Sequence, residues 1–321
     1  MSVFLFGLGF TARALAHRLM DSGVPAAAIA GTTRSLDKSK SLAAEGMRAH
    51  PFDGSGAGAF LAPDLLAAGF VVSSITPGPH GDPVLAHHGE DLKRAPELDW
   101  LCYLSTVGVY GDHDGAWIDE TTPVDLTRER AARRLAAEES WRELADGCDV
   151  PLMILRLAGI YGPGRSAFDK LRTGRARQIV KPRQVFNRIH VEDIVETILC
   201  ARDLQLAGTF NLTDDEPAPP QTVLAHAAEL IDMPPPDPEP FETAELSEMA
   251  RSFYASNRRV ANAAIKKATG RELTHPTYRD GLAAILADEA EPDIEPDADA
   301  PAKEDAAEDA TDADAATVSS D

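Results

Sequence analysis

Six residues near the amino terminus already point to a chemistry. Gly7-Leu8-Gly9-Phe10-Thr11-Ala12 follows the apolar run Val3-Phe4-Leu5-Phe6 and opens a stretch in which Leu15, Ala16, Leu19 and Met20 recur at helical spacing. A glycine at the first position permits a tight turn, and one at the third lets the backbone approach a ligand. A small residue at the sixth allows the helix to pack closely on its strand. The unpaired N–H groups that begin such a helix carry a partial positive charge. This arrangement suits a diphosphate, and Gly7, Leu8, Gly9, Phe10 and Thr11 are expected to cradle it.

A nicotinamide dinucleotide is the ligand expected at that turn. At the end of the second strand, where Asp or Glu would accept a hydrogen bond from the adenosine 2′-hydroxyl of NAD, the chain has Thr33 and Arg34. A guanidinium favours a 2′-phosphate, so NADP is preferred; NAD is the alternative, with Asp37 serving the ribose. Asp53 after the third strand and Ser73, Ser74 and Thr76 after the fourth are expected to line the adenine and ribose. Further along, eight basic residues between Arg165 and Arg188 face a single acid, Asp169. That excess suggests a small anionic substrate such as a phosphate or diphosphate, with a solvated basic surface as the alternative.

The elements that must hold these residues alternate. Apolar runs at 3–6, 27–30, 47–51, 70–75, 100–105 and 151–156 read as strands, separated by helical stretches at 10–22, 35–45 and 127–145. The pattern predicts an α/β protein with a Rossmann-type doubly wound parallel sheet and a smaller C-terminal α+β lobe. Residues 1–157 form the dinucleotide-binding domain, with later strands completing its sheet, and 158–287 form the substrate lobe. The lobe contributes a helix at 191–202 and a strand at 208–212.

The formal charge of −21 is unevenly distributed. Residues 288–321 hold 14 acids against one lysine, leaving −8 for the rest. So little apolar surface cannot offset ordering entropy, so an acidic disordered tail is expected, with a solubility role or an unknown partner. Cys102, Cys148 and Cys200 form no CxxC and read as buried free thiols of a cytoplasmic protein. The apolar start lacks a basic segment before it and does not read as a secretion signal, and no run approaches membrane-spanning length. Neither a nucleic-acid nor a membrane partner is expected, and a homodimer is left open.

Four later stretches carry a family resemblance. Tyr103-Leu-Ser-Thr-Val-Gly-Val-Tyr-Gly111, Arg156-Leu-Ala-Gly-Ile-Tyr-Gly-Pro-Gly-Arg165, Asn187-Arg-Ile-His-Val-Glu-Asp193 and Phe210-Asn211 with Asp214 to Pro217 occur in the family's order. From Met1 to Leu286 the chain resembles the extended short-chain dehydrogenases/reductases, the group that includes NAD-dependent epimerases and dehydratases. The resemblance implies that Thr106 orients substrate. It also implies a Tyr and a Lys four residues apart on the next helix, where the lysine lowers the tyrosine's pKa for proton exchange.

Here those positions fall on Arg130 and Arg134, and no tyrosine or lysine occurs between Asp112 and Leu152. Arginine stays protonated and performs no general acid/base work. Arg134 is expected to reach the nicotinamide ribose and Arg130 to polarise a carbonyl or hold an anion. Alternatively, both pair with Glu138 and other surface carboxylates. Tyr110 and Tyr161 are candidate substitute acids. His190 and Asp193 are expected to anchor the lobe, and no metal-ligand spacing is present. The sequence thus supports an atypical NAD(P)-dependent oxidoreductase or epimerase-like enzyme. A non-catalytic NADP-binding sensor is the second reading, and an adaptor acting through the acidic tail the third.

Overall fold

The computed structural model describes residues 2–58 and 60–290. Seven strands build one sheet: β1 (Val3–Phe6), β2 (Ile29–Thr33), β3 (Arg48–Pro51), β4 (Phe70–Ser73), β5 (Trp100–Thr106), β7 (Leu152–Leu157) and β11 (Gly208–Leu212). All pair in parallel, in the order β11-β7-β5-β4-β1-β2-β3. From β1 the chain first winds to one side and then back to the other, which opens a crevice at the carboxyl ends of β1 and β4. The continuous apolar runs follow from burial on both faces: β1, β4, β5 and β7 are buried along their whole length.

Helices α1 (Phe10–Asp21) and α2 (Leu36–Ala44) cover one face together with α7 (Val191–Asp203) and α10 (Ala263–Thr269), around Leu15, Leu19, Leu42, Ile194 and Ile265. The other face is covered by α3 (Ala62–Leu66), α4 (Pro83–Arg94) and α5 (Glu129–Cys148), around Leu65, Leu92 and Trp141. A third core belongs to the lobe, where Phe168 of α6 (Ala167–Arg172), Ala227 of α8 (Pro220–Leu230) and Tyr278 of α11 (Tyr278–Ala290) meet. Helix α9 (Glu248–Phe253) completes the set. Three short parallel pairs tie the loops: β6 (Trp117–Ile118) with β13 (Arg259–Val260), β8 (Gly159–Tyr161) with β10 (Arg188–His190), and β9 (Gln178–Val180) with β12 (Pro238–Pro240).

Three boundaries move relative to the sequence reading. The run Ala26–Ala28 forms a 3-10 turn after Pro25, so β2 begins only at Ile29. Helix α5 runs on to Cys148 and ends at Asp149, which takes a left-handed conformation with φ +55°. The residues assigned to the start of the acidic tail, 288–290, instead close α11, and Glu289 is fastened to Arg172 of α6 by two hydrogen bonds of 2.6 and 2.8 Å. The expected disorder of the remaining tail, 291–321, lies outside the described residues.

Candidate active site

Gly7 turns the chain out of β1 with φ +88°, a conformation that side chains resist, and a Cβ there would lie 2.7 Å from Ser74 Oγ. The turn is pinned from two sides. Thr32 accepts the Gly7 N–H at its hydroxyl (2.9 Å) and the Leu8 N–H at its carbonyl (2.6 Å). Ser74 Oγ donates toward the carbonyls of Phe6 and Gly7 at 3.0 and 2.9 Å. Leu8 is buried in the core, so its role in the cradle is to hold the turn. Gly9, exposed, is the N-cap of α1; no side chain caps this helix and no acid occupies its first turn. A Cβ on Gly9 would meet nothing closer than the Gly7 carbonyl at 4.0 Å. The backbone therefore offers open N–H groups and open space, the fit a dinucleotide diphosphate requires.

The neighbouring strand ends divide into ligand-facing and supporting positions. Arg34 is exposed directly beyond β2, whereas Thr33 is buried and its carbonyl accepts the Phe52 N–H. Ser35 caps α2 by accepting the Lys38 N–H (3.1 Å). Asp37 points to solvent beside Lys40 (3.7 Å). Asp53 is exposed and takes both the N–H (2.9 Å) and the hydroxyl (2.7 Å) of Ser55, contacts that hold its carboxyl below the usual range. Ser73 is fully buried within β4 and acts as part of the sheet, and Ser74 is spent on the glycine turn. Only Thr76 of that group reaches the catalytic region.

There the two arginines part company. Arg134, 1% exposed, lies under the ends of β4 and β5 and donates to Tyr103 Oη (3.1 Å), the Leu104 carbonyl (3.3 Å) and Thr76 Oγ1 (3.4 Å). Arg130 is exposed in the first turn of α5 and makes no ion pair or hydrogen bond among the described residues. Arg130 does not pair with Glu138 among the described residues, and Glu138 itself is fully buried and not a surface carboxylate. Arg156 holds Glu138 by two hydrogen bonds (2.7 and 3.1 Å), joined by Ser105 Oγ (2.6 Å) and Arg142 (3.3 Å). The same Arg156 donates to Tyr110 Oη (2.9 Å), which donates to Asn211 Oδ1 (2.8 Å). Burial outweighs the arginine and raises the Tyr110 pKa, so this phenol is locked in place and a poor proton donor. Thr106 closes β5; its hydroxyl accepts the Gly108 N–H (3.0 Å) and retains its own proton to donate.

A cavity of about 990 Å³ is lined by Val107, the residue after Thr106, and by residues of the lobe. The basic segment splits around it. Lys170, Arg175, Arg177 and Arg188 line the cavity, while Arg172 is bound to Glu289 outside it. Arg165 stands elsewhere, its guanidinium 5.4 Å from the ring of Phe10 at the start of α1, beside the diphosphate cradle. Tyr161 lines the cavity with its hydroxyl 3.4 Å from the Thr277 carbonyl, and burial raises its pKa. Deeper, His190, Asp193 and His275 bring atoms able to bind a metal within 4.8 Å of one another. Asp193 accepts the N–H groups of Thr274 (2.6 Å) and His275 (3.1 Å), and Glu192 holds His275 Nε2 (2.7 Å); His190 Nδ1 accepts the Glu192 N–H (3.4 Å), while its Nε2 is buried without a partner among the described residues. The cluster ties α7 to the segment before α11, and burial depresses the His190 pKa to about 4.

With that geometry in view, known proteins sort the fold. The family model described as the NAD dependent epimerase/dehydratase family matches residues 91–212. Over those residues the chain resembles the NAD-dependent epimerases and dehydratases. Over 176 residues it is 31% identical to a 3-diazoavenalumate denitrifying reductase from a Streptomyces species, covering 51% of this chain and only 58% of that relative's length. A functionally unknown conserved protein from Silicibacter pomeroyi is 44% identical, with a TM-score of 0.80 over 89% of this chain and 98% of the other. UDP-glucuronic acid 4-epimerase from Bacillus cereus, solved with UDP-glucuronic acid and NAD, shares the fold at 16% identity and a TM-score of 0.69, over 89% and 98% of the two chains. No helix among the described residues is long and apolar enough to cross a membrane.

Some roles differ from those expected. Ser74, expected to line the adenine and ribose, braces the glycine turn together with Thr32, and Glu138, expected at the surface, seals Arg156 in the core. The cavity's Arg251 and Arg258 come from beyond residue 240, outside the basic segment that drew attention.

Proposed function

We propose that this chain is an NADP-dependent reductase acting on a small anionic substrate without the Tyr/Lys proton relay. The observation that carries this reading is a cavity lined by Val107, the residue that follows Thr106 at the carboxyl end of β5, and by several arginines. The backbone at Gly7–Thr11 and Arg165 would hold the diphosphate, and Arg34 would meet the adenosine 2′-phosphate. Bound there in its reduced form, the cofactor supplies a hydride.

The chain's own groups then bind and orient. Thr106 donates its hydroxyl proton to the substrate, and Arg134, fixed by three acceptors, keeps a permanent positive charge beside Thr76. No side chain at the family's tyrosine position exchanges a proton, which favours substrates whose reduction leaves little negative charge needing one. A relative named as a reductase of a diazo compound supports looking beyond nucleotide sugars.

Calorimetry with NADPH and NADH tests the cofactor step. NADPH should bind about tenfold tighter or more, and Arg34→Ala should erase the difference. NADPH oxidation should then be followed with carbonyl, diazo-aromatic and nucleotide-sugar panels, and Thr106→Ala should abolish it. No heat with either dinucleotide at millimolar concentration would overturn the reading. The locked state of Tyr110 favours a second one, a cofactor sensor; tight NADPH binding without turnover, unchanged in Thr106→Ala, would select it.

A further inference from the structure

The cations on the cavity wall are mostly engaged. Arg177 holds Glu239 by donating two hydrogen bonds from Nη2 (2.7 and 2.8 Å) and one from Nε (3.2 Å) to its carboxylate. Arg188 donates to the carbonyls of Phe186 (3.0 Å) and Ala218 (3.1 Å), and Arg251 to that of Ala244 (2.9 Å). Lys170 and Arg175 have interactions of their own. Two acids, Glu242 and Glu245, stand on the same wall.

Arg258 differs. It is half-buried, and the hydrogen bonds described for it leave through Nη1, to Ser256 Oγ (3.0 Å) and the Gly111 carbonyl (2.6 Å). Its Nε is buried without an acceptor, and among the described residues no carboxylate lies within ion-pair distance. Burial, with Arg128 nearby, pushes its pKa down to about 10 against the pull of Asp112, so it remains a cation at neutral pH. A desolvated charge with no counter-charge is costly until an anion joins it. Four residues earlier Tyr254 packs edge-on against Phe186 (5.2 Å between ring centres), and both rings line the same cavity.

Building on the reading of this cavity as the substrate site, we propose that Arg258 anchors a single substrate carboxylate while Phe186 and Tyr254 hold a ring-bearing apolar body. The substrate class is then a cyclic or aromatic carboxylic acid. A sugar diphosphate would need several uncommitted cations, and this wall commits all but one or two of its own. Because Arg258 also holds the Gly111 carbonyl, the anchored carboxylate would lie beside the turn that follows Thr106.

Calorimetry on the full chain, with and without NADPH, tests this with three probes: 3-phenylpropionate, its uncharged counterpart 3-phenylpropanol, and UDP-glucose. The carboxylate should bind wild type about tenfold tighter than the alcohol or better, and Arg258→Gln should bring the two level. Arg258→Lys should retain part of the preference, and both variants should keep wild-type NADPH affinity and melting temperature, which separates a lost anchor from a lost fold. Equal carboxylate affinity in wild type and Arg258→Gln would overturn the proposal. So would UDP-glucose binding with the carboxylate silent, or no carboxylate binding to wild type while NADPH still binds. If NADPH fails to bind but the carboxylate still depends on Arg258, the cofactor reading falls and the anchor stands.

Discussion

The turn at 107–111 separates two arginines with opposite surroundings. On one side Arg156 touches Tyr110 and is sealed by Glu138, Ser105, Tyr110 and Asn211 into a network with its charge matched. On the other, Arg258 touches Gly111 and lines a cavity, with no carboxylate within ion-pair distance among the described residues. Both are arginines withdrawn from bulk solvent, Arg156 fully and Arg258 in part, yet they do different work. A buried charge whose partners are complete holds a structure together, whereas one left incomplete at a cavity wall is waiting for something from solution.

The contrast breaks if Glu138 proves dispensable. Glu138→Ala should cost about 3–5 kcal/mol in urea unfolding, because it strands Arg156 in the core. A loss below about 1 kcal/mol would mean the network is no more sealed than the cavity. Gly9→Glu attacks the open side instead. It should weaken NADPH binding roughly a hundredfold by filling the cradle with a negative charge, and leave the unfolding midpoint within the error of wild type.

Asp214 offers an intermediate case, buried and raised to about 8 although Arg188 pulls it down, with Asp215 and Glu216 pushing it up. Its folded pKa exceeds its unfolded one, so the folded state binds the extra proton between about pH 4 and 8. The stability that Asp214 contributes is therefore greatest at the acid end of that window and falls as pH rises toward 8, at most by about 1.4 kcal/mol per pH unit. Asp214→Asn should remove this fall, read as the difference between melting temperatures at pH 5 and pH 8. An unchanged difference would show that Arg188 neutralises Asp214 more completely than burial implies.

The fold was legible because its signals are local. Continuous apolar runs mark strands covered on both faces, and Gly7, Gly9 and Ala12 sit within one turn, so spacing alone locates the crevice. Arg134 was singled out only through the family resemblance, which places it four residues after Arg130 on the same helix. What stayed hidden depends on contacts across long stretches of chain. Glu138 looks like a surface acid because it stands among charged residues, and only the arrival of β7 beneath α5 turns it inward. Arg258 carries no mark in its neighbourhood that separates it from Arg259, whose side chain is tied to the Gly115 carbonyl. Ser73 and Ser74 share a residue type and adjoin, yet one is inside the sheet and the other beneath the glycine turn.

Strand β11 lies at the outer edge of the sheet, paired to β7, although some fifty residues of the lobe intervene. Any fragment ending near residue 157 would expose β7 as a bare, apolar margin, open to pairing with other chains. The cofactor half is thus no detachable module: the polypeptide must first travel out through the substrate half and come back before its own foundation is finished.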